Sequence, residues 1–224
     1  MSRAFSALPP LLAAAVLTGQ PAPRPALAEV RAPLGIPSAG ALRGPRAAGG
    51  SASTAAQMAE LWKLAALPPA PEGFGPLPAP GVAGAILPHD DYLYAGRVYR
   101  RVAPLVTART VVLVGTFHKY RAFGARGHLV LDPYRAWRAP DGEIPVSPLR
   151  DALRAALLPG DAVQDAACHD REHSLEAVAY WLRHQRPDLE ILPLLVPEMA
   201  FARMRALAGR AGAALARAMK ARGL

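Results

Sequence analysis

The sequence predicts an α/β domain with a mixed, largely parallel central sheet flanked by helices. Three observations carry this. Two short continuous apolar runs, Val82–Leu87 and Thr110–Gly115, have the length and composition of buried strands. The first is followed by a segment of helical period, Tyr94 to Val106. The alternation then resumes as helix, strand, helix toward the end of the chain.

The elements follow in order. Ser53 or Thr54 can cap a helix over residues 55–64, and a proline-rich run from Pro68 to Pro80 separates it from the main domain. The strand Val82–Leu87 ends at Pro88-His89-Asp90-Asp91. Val98, Val102 and Leu105 give the next segment its helical face, and Thr110–Gly115 runs into Thr116-Phe117-His118-Lys119-Tyr120. A third strand is expected over His128–Leu131 and a helix over Pro148–Leu158. His173–His184 reads as a strong helix, with Leu175, Val178, Ala179 and Leu182 on one side. Leu189–Val196 is another strand. Ala200–Arg222 is a long Ala/Arg helix with Met204, Leu207, Ala211 and Leu215 on one stripe.

Residues 1–54 read differently. Arg3, the apolar stretch Phe5–Leu17 and the small residues Ala26-Leu27-Ala28 outline a secretory signal, although Pro9-Pro10 interrupts it. Cytoplasm and export therefore both remain open, with the cytoplasm favoured. The stretch is too short and too broken to span a bilayer. Glu29 to Thr54 reads as a disordered, Ala/Pro/Gly-rich linker, and 55–224 as the domain.

Composition excludes several classes. The net charge is +9, almost all of it arginine, since the only lysines are Lys63, Lys119 and Lys220. The arginines are scattered and no nucleic-acid module accompanies them, so no nucleic-acid partner is expected. The one cysteine, Cys168, permits no disulfide within the chain and reads as a small residue near a helix start.

Ligands of open α/β sheets bind beyond the carboxyl ends of strands. His89 and His118 stand at two such ends, and strands about 4.8 Å apart could bring both imidazoles to one metal ion. His173, in Asp170-Arg171-Glu172-His173-Ser174-Leu175-Glu176, would sit at or near a helix N-terminus. Blander readings stand beside these: a histidine bonded to backbone, Asp90-Asp91 as a turn, and Glu172 and Glu176 as first-turn acids. His128, His169 and His184 have no partner pattern, and Trp137 and Trp181 read as core or rim residues.

Four motifs, in order, resemble those of the MEMO family, known in bacteria and archaea as AmmeMemoRadiSam system protein B. Ile86-Leu87-Pro88-His89-Asp90-Asp91-Tyr92-Leu93-Tyr94-Ala95-Gly96 resembles "APHAGYxYSG". Gly115-Thr116-Phe117-His118 resembles "GPSHH", Asp170–Glu176 resembles "D-x-EHSIE", and Ile191–Val196 resembles "IIPVLVG". The resemblance covers about residues 81–197. It implies a fold like the class III extradiol dioxygenases (LigB-like) and a two-histidine, one-cysteine cluster able to bind iron or copper. By motif position His89 and His118 take the two histidine places, and His173 is the pocket histidine and the catalytic candidate. Asp90, Asp91, Tyr94, Lys119 and Glu172 line the same pocket.

The chain departs from the family at Asp90-Asp91, where the motif has Ala-Gly, and at Lys119, where it has a second histidine. The family's later "SSDxxHYG" motif and third ligand are not found before Leu224, and Cys168 stands in the wrong place to substitute, so the expectation is a domain lacking its C-terminal part.

Three functions follow. The resemblance implies a metal-binding redox protein, if an enzyme then a non-haem metal oxidoreductase, acting beside a radical-SAM enzyme and an AMMECR1-like protein. A non-catalytic binding module on the same fold is the alternative. A metal-dependent hydrolase is the third, because Pro88-His89-Asp90-Asp91 is superficially similar to the "AHPDDE" of LmbE-type deacetylases.

Overall fold

The computed structural model describes residues 38–44, 52–66 and 79–224. The candidate secretory signal lies outside these residues. A two-residue strand, β1 (Leu42–Arg43), comes first, then helices α1 (Ala55–Leu64) and α2 (Tyr92–Val102), the latter running into a single 3₁₀ turn. Strands β2 (Thr110–Thr116), β3 (Leu129–Leu131), β4 (Ala136–Ala139) and β5 (Gly142–Pro145) follow. Then come α3 (Leu149–Ala156), β6 (Ala162–Gln164), α4 (Ala166–Arg171), α5 (Glu176–Gln185), β7 (Glu190–Val196) and α6 (Phe201–Ala221).

The main sheet has the order β2-β7-β3-β6, with β2 parallel to β7, β7 antiparallel to β3, and β3 parallel to β6. A second sheet, β1-β4-β5, is also mixed. Ser147 donates its N–H to the Ile191 carbonyl just past β5, which ties the second sheet to β7. The predicted mixed α/β architecture is therefore present, divided between two sheets.

Strand β7 lies between neighbours and is buried on both faces, which is why its sequence is a continuous apolar run rather than an alternation. Pro193 would break a ladder in most central strands. Here β3 pairs only with Leu194 and Leu195, and Val146 bridges only to Ile191, so Pro193 falls in the gap between them. Strand β2 is an edge, and Val114 is exposed on it.

One expected element is absent. Val82–Leu87 is irregular and joins no ladder among the described residues, and Ile86 is fully exposed. Its apolar composition suits a strand, but among the described residues no strand pairs with it; its anchors are the N–H groups of Gly81 and Val82 on the Leu105 carbonyl. Other differences are smaller. The long helix after His173 starts at Glu176, because the Glu172 carboxylate holds the N–H groups of His173 and Ser174 outside it. Residues 38–44, inside the stretch read as linker, contribute β1.

The helices match their sequence signals. Thr54 caps α1 and Gln57 reciprocates in a capping box. On α5, Leu175 just before it, Ala179 and Leu182 are buried. On α6, Leu207, Ala211 and Ala214 are buried, while Met204 faces outward. Trp137 and Trp181 are buried, as read from the sequence.

Helix α6 is also fastened by charge. Asp161, buried before β6, accepts both arms of the Arg210 fork at 2.7 and 2.8 Å and lies 2.9 Å from Arg203. The Arg210 hydrogen bonds outweigh burial and hold the Asp161 carboxyl down at about 2. A carboxyl depressed from about 3.9 stabilises the fold above that value and loses its contribution as pH falls through it. Asp161→Asn should therefore flatten the acid side of the stability profile. Urea midpoints of the wild type should fall toward those of the variant between pH 4 and pH 2; parallel profiles would refute the assignment.

Candidate metal centre

The end of β2 and the loop between α4 and α5 meet over Gly115. A Cβ there would lie 2.6 Å from both Leu175 Cδ2 and Ser174 Oγ, so any larger residue would have to displace those two side chains from β2. Ser174 Oγ then donates to the Thr116 carbonyl at 2.8 Å. This contact brings Glu172 beside His118.

Glu172 is buried and its carboxylate accepts four N–H groups. Oε2 takes the His118 main-chain N–H at 2.6 Å. Oε1 takes the N–H groups of His173 and Ser174, both at 2.8 Å, and meets His118 Nδ1 at 2.8 Å. Burial alone would raise this carboxyl, but the hydrogen bonds from His118 and Ser174 outweigh it and leave the group below its ordinary range. An ionised acceptor at Nδ1 assigns the proton of neutral His118 to Nδ1 and leaves the Nε2 lone pair outward.

That lone pair meets His89. The two Nε2 atoms are 3.1 Å apart, and both residues are exposed. Two nitrogens bound at about 2.1 Å to one ion lie roughly 3.0 Å apart at a right angle and 3.4 Å apart at a tetrahedral angle. The observed pair thus fits two ligands of a single first-row ion.

Four N–H groups take up the Glu172 carboxylate, which leaves it placed to orient His118; one of its oxygens, His118 and His173 also place donor atoms within 4.8 Å of one another. The His173 ring stacks on His118 with centroids 4.9 Å apart and 14° between planes, and lies 6.3 Å from the His89 ring.

The remaining candidates are less engaged. Asp90 is exposed; its side chain accepts the Asp91 N–H and its carbonyl accepts the Tyr99 hydroxyl. Asp91 precedes α2 without a side-chain cap bond, Tyr94 is exposed on that helix, and Lys119 is exposed beside His118. Glu176, read as a first-turn acid, is buried against Arg43 at 2.5 Å. Sequence reasoning missed Arg43, which had no signal beyond being an arginine in a low-complexity stretch. His169 is buried against the Val130 carbonyl, and His184 meets Asp141 at 2.8 Å.

Gly115→Ala tests the packing directly. It should push the 172–175 loop away from β2, and the His118 amide should lose protection from hydrogen exchange by at least about tenfold, corresponding to about 1.4 kcal/mol. Unchanged protection in a folded variant would show that the close approach does not set the site.

A family model described as Memo-like protein matches residues 51–222. A MEMO1 family protein of Methanosarcina mazei is 32% identical over 116 residues, which is 50% of this chain and 40% of that protein. One of Methanosarcina barkeri is 33% identical over 116 residues, with the same coverage. One of Caldivirga maquilingensis is 23% identical over 120 residues, 51% of this chain and 40% of the relative. The aligned part thus spans about two fifths of the length of the relatives. With a family match running from just before α1 to the end of α6, the chain belongs to the Memo-like protein family.

Proposed function

We propose that this domain supplies the histidine side of a metal centre for iron or copper, in a redox-type protein of the MEMO family. The observation that carries the reading is the 3.1 Å approach of His89 Nε2 to His118 Nε2, with His118 Nδ1 occupied by Glu172. A metal-ligating histidine whose other ring nitrogen is held by a carboxylate is a recurrent arrangement that fixes the tautomer and raises ligand basicity. Imidazole suits iron and copper.

When bound, such an ion would supply oxygen or one-electron chemistry. His89 and His118 would hold it. His173, stacked on His118 and partly exposed, would be the residue placed to carry a proton to or from a bound molecule. Asp90 and Asp91 bring negative charge beside His89, which favours a cation at this end of the domain. Two protein ligands alone hold a metal weakly, so water, a carboxylate or a further protein group would complete the set. The family resemblance supports action beside a radical-SAM enzyme and an AMMECR1-like protein.

The test is metal content. Protein purified without oxygen and titrated with Fe(II), Cu(I) and Zn(II) should take up one ion per chain, with iron or copper retained. His118→Ala should lower affinity by at least about tenfold while the fold persists. Wild-type affinity in that variant, or no metal in the wild type, would sink the proposal.

A further inference from the structure

We propose that Arg43 is a positioning residue for His118, acting through Glu172. Strand β1 runs parallel to β4, with Arg43 in register with Trp137. This plants the Arg43 side chain, 1% exposed, behind the turn that joins α4 to α5. Its guanidinium carbon lies 4.1 Å from the Trp137 ring centre. Nε and Nη2 donate to the His169 carbonyl at 3.2 and 2.6 Å, and Nη2 also reaches the Glu172 carbonyl at 2.9 Å and Glu176 Oε1 at 2.5 Å.

These acceptors define one short stretch of chain. The His169 carbonyl belongs to the last turn of α4 and also accepts the N–H of Glu172, the residue that caps the helix. A cation donating there adds to that cap bond and favours the negative end of the helix. Glu176 opens α5. Arg43 therefore grips the end of one helix, the turn, and the start of the next.

Glu172 is held on both sides. Its carbonyl is fixed from behind by Arg43, and its carboxylate faces forward to the His118 main-chain and ring nitrogens. A displacement of about 1 Å at the main chain would take the carboxylate out of hydrogen-bond range of one or more of its four donors. Nη2 reaches all three acceptors and Nε shares the His169 carbonyl with it, while the planar guanidinium lies against Trp137; a lysine ammonium reproduces neither the shared carbonyl nor the stacking. Arg43 also precedes residues 51–222, the part matched by the family model, so the clamp comes from outside that match.

The functional half of this proposal rests on reading His118 as a metal ligand, and the experiment separates the two. In the full chain without metal, Arg43→Met should lower exchange protection of the His118, His173 and Ser174 amides by at least about tenfold, while amides of β2 and β7 other than these keep theirs. Arg43→Lys should behave like Arg43→Met at the three amides. It also serves where the methionine variant does not fold.

With Co(II) as probe, Arg43→Met should weaken binding at least about tenfold, and Glu172→Gln similarly. The double variant should be little worse than Glu172→Gln alone, because both changes act through one carboxylate. Wild-type protection of the three amides in a folded Arg43 variant would overturn the proposal, as would fully additive losses in Co(II) affinity. Should the wild type bind no Co(II), the metal reading fails, and the amide measurement still decides whether Arg43 holds Glu172.

Discussion

The Glu172 carboxylate is the constraint around which the site is organised. An ionised carboxylate out of water costs several kcal/mol unless its lone pairs are satisfied. Here four N–H groups converge on it, two from His118 and one each from His173 and Ser174. Each charge-assisted bond contributes about 1.5–3 kcal/mol, and loss of one donor would leave part of a buried charge unpaired. The requirement joins chain segments 54 residues apart, since His118 follows β2 and Glu172 follows α4. It also explains the late start of α5, whose preceding N–H groups are committed to the carboxylate instead of to a helix cap.

Behind that carboxylate lies a second buried polar layer that ties the two sheets together. Asp132, fully buried after β3, accepts the Trp137 indole N–H and the Tyr134 main-chain N–H. Burial pushes its carboxyl up to about 7, against the pull of those bonds and of Arg43 and Arg150. Asp170 accepts the Tyr134 hydroxyl at 2.7 Å and the Ser38 hydroxyl at 3.2 Å. Burial, with Arg43 adding to it, lowers the neighbouring His169 to about 3, so it is a neutral ring donating to Val130. Arginine, carboxylates and a neutral histidine together give the α4–α5 turn fixed polar partners on its inner side. A hydrophobic core of the same volume would not specify the turn's register in this way.

Particular residues show what the sequence revealed and where it stopped. The central strand β7 was legible because burial on both faces leaves a continuous apolar run, and the long helices because burial on one face leaves a helical period. The β4–β5 hairpin was not recognised, although Pro140-Asp141-Gly142 is a turn signal and Gly142 has φ of 149°. Each arm has only four residues, too few for periodicity to stand out. Val82–Leu87 misled for the opposite reason: its composition is that of a strand, but pairing is a property of neighbours, and a run of apolar residues does not say whether a partner strand exists. The approach of His89 to His118 was expected from adjacent strand ends, whereas in the fold His89 comes from an irregular segment leading into α2. Glu172 and Arg43 were illegible as an orienter and a clamp because their meaning depends on contacts across 54 and 129 residues.

The two histidines are consequently unequal. His118 is fixed at its main chain and at its ring by one buried carboxylate, and its ring is stacked on His173. His89 sits on a segment without a ladder, anchored at its start by Leu105 and at its end by the Tyr99 hydroxyl on the Asp90 carbonyl. Leu87 packs in part against the cluster of Met58, Tyr99 and Trp181, while Ile86 next to it is in solvent. An ion entering between the rings would find the His118 ring oriented by a buried carboxylate and the His89 ring placed by the anchors at the two ends of its segment. Fixing a residue's main chain costs about 1–2 kcal/mol. Preorganisation is therefore concentrated on the His118 side, and the strength of the proposed centre would depend on how firmly the 82–91 segment is held against α2 and β2.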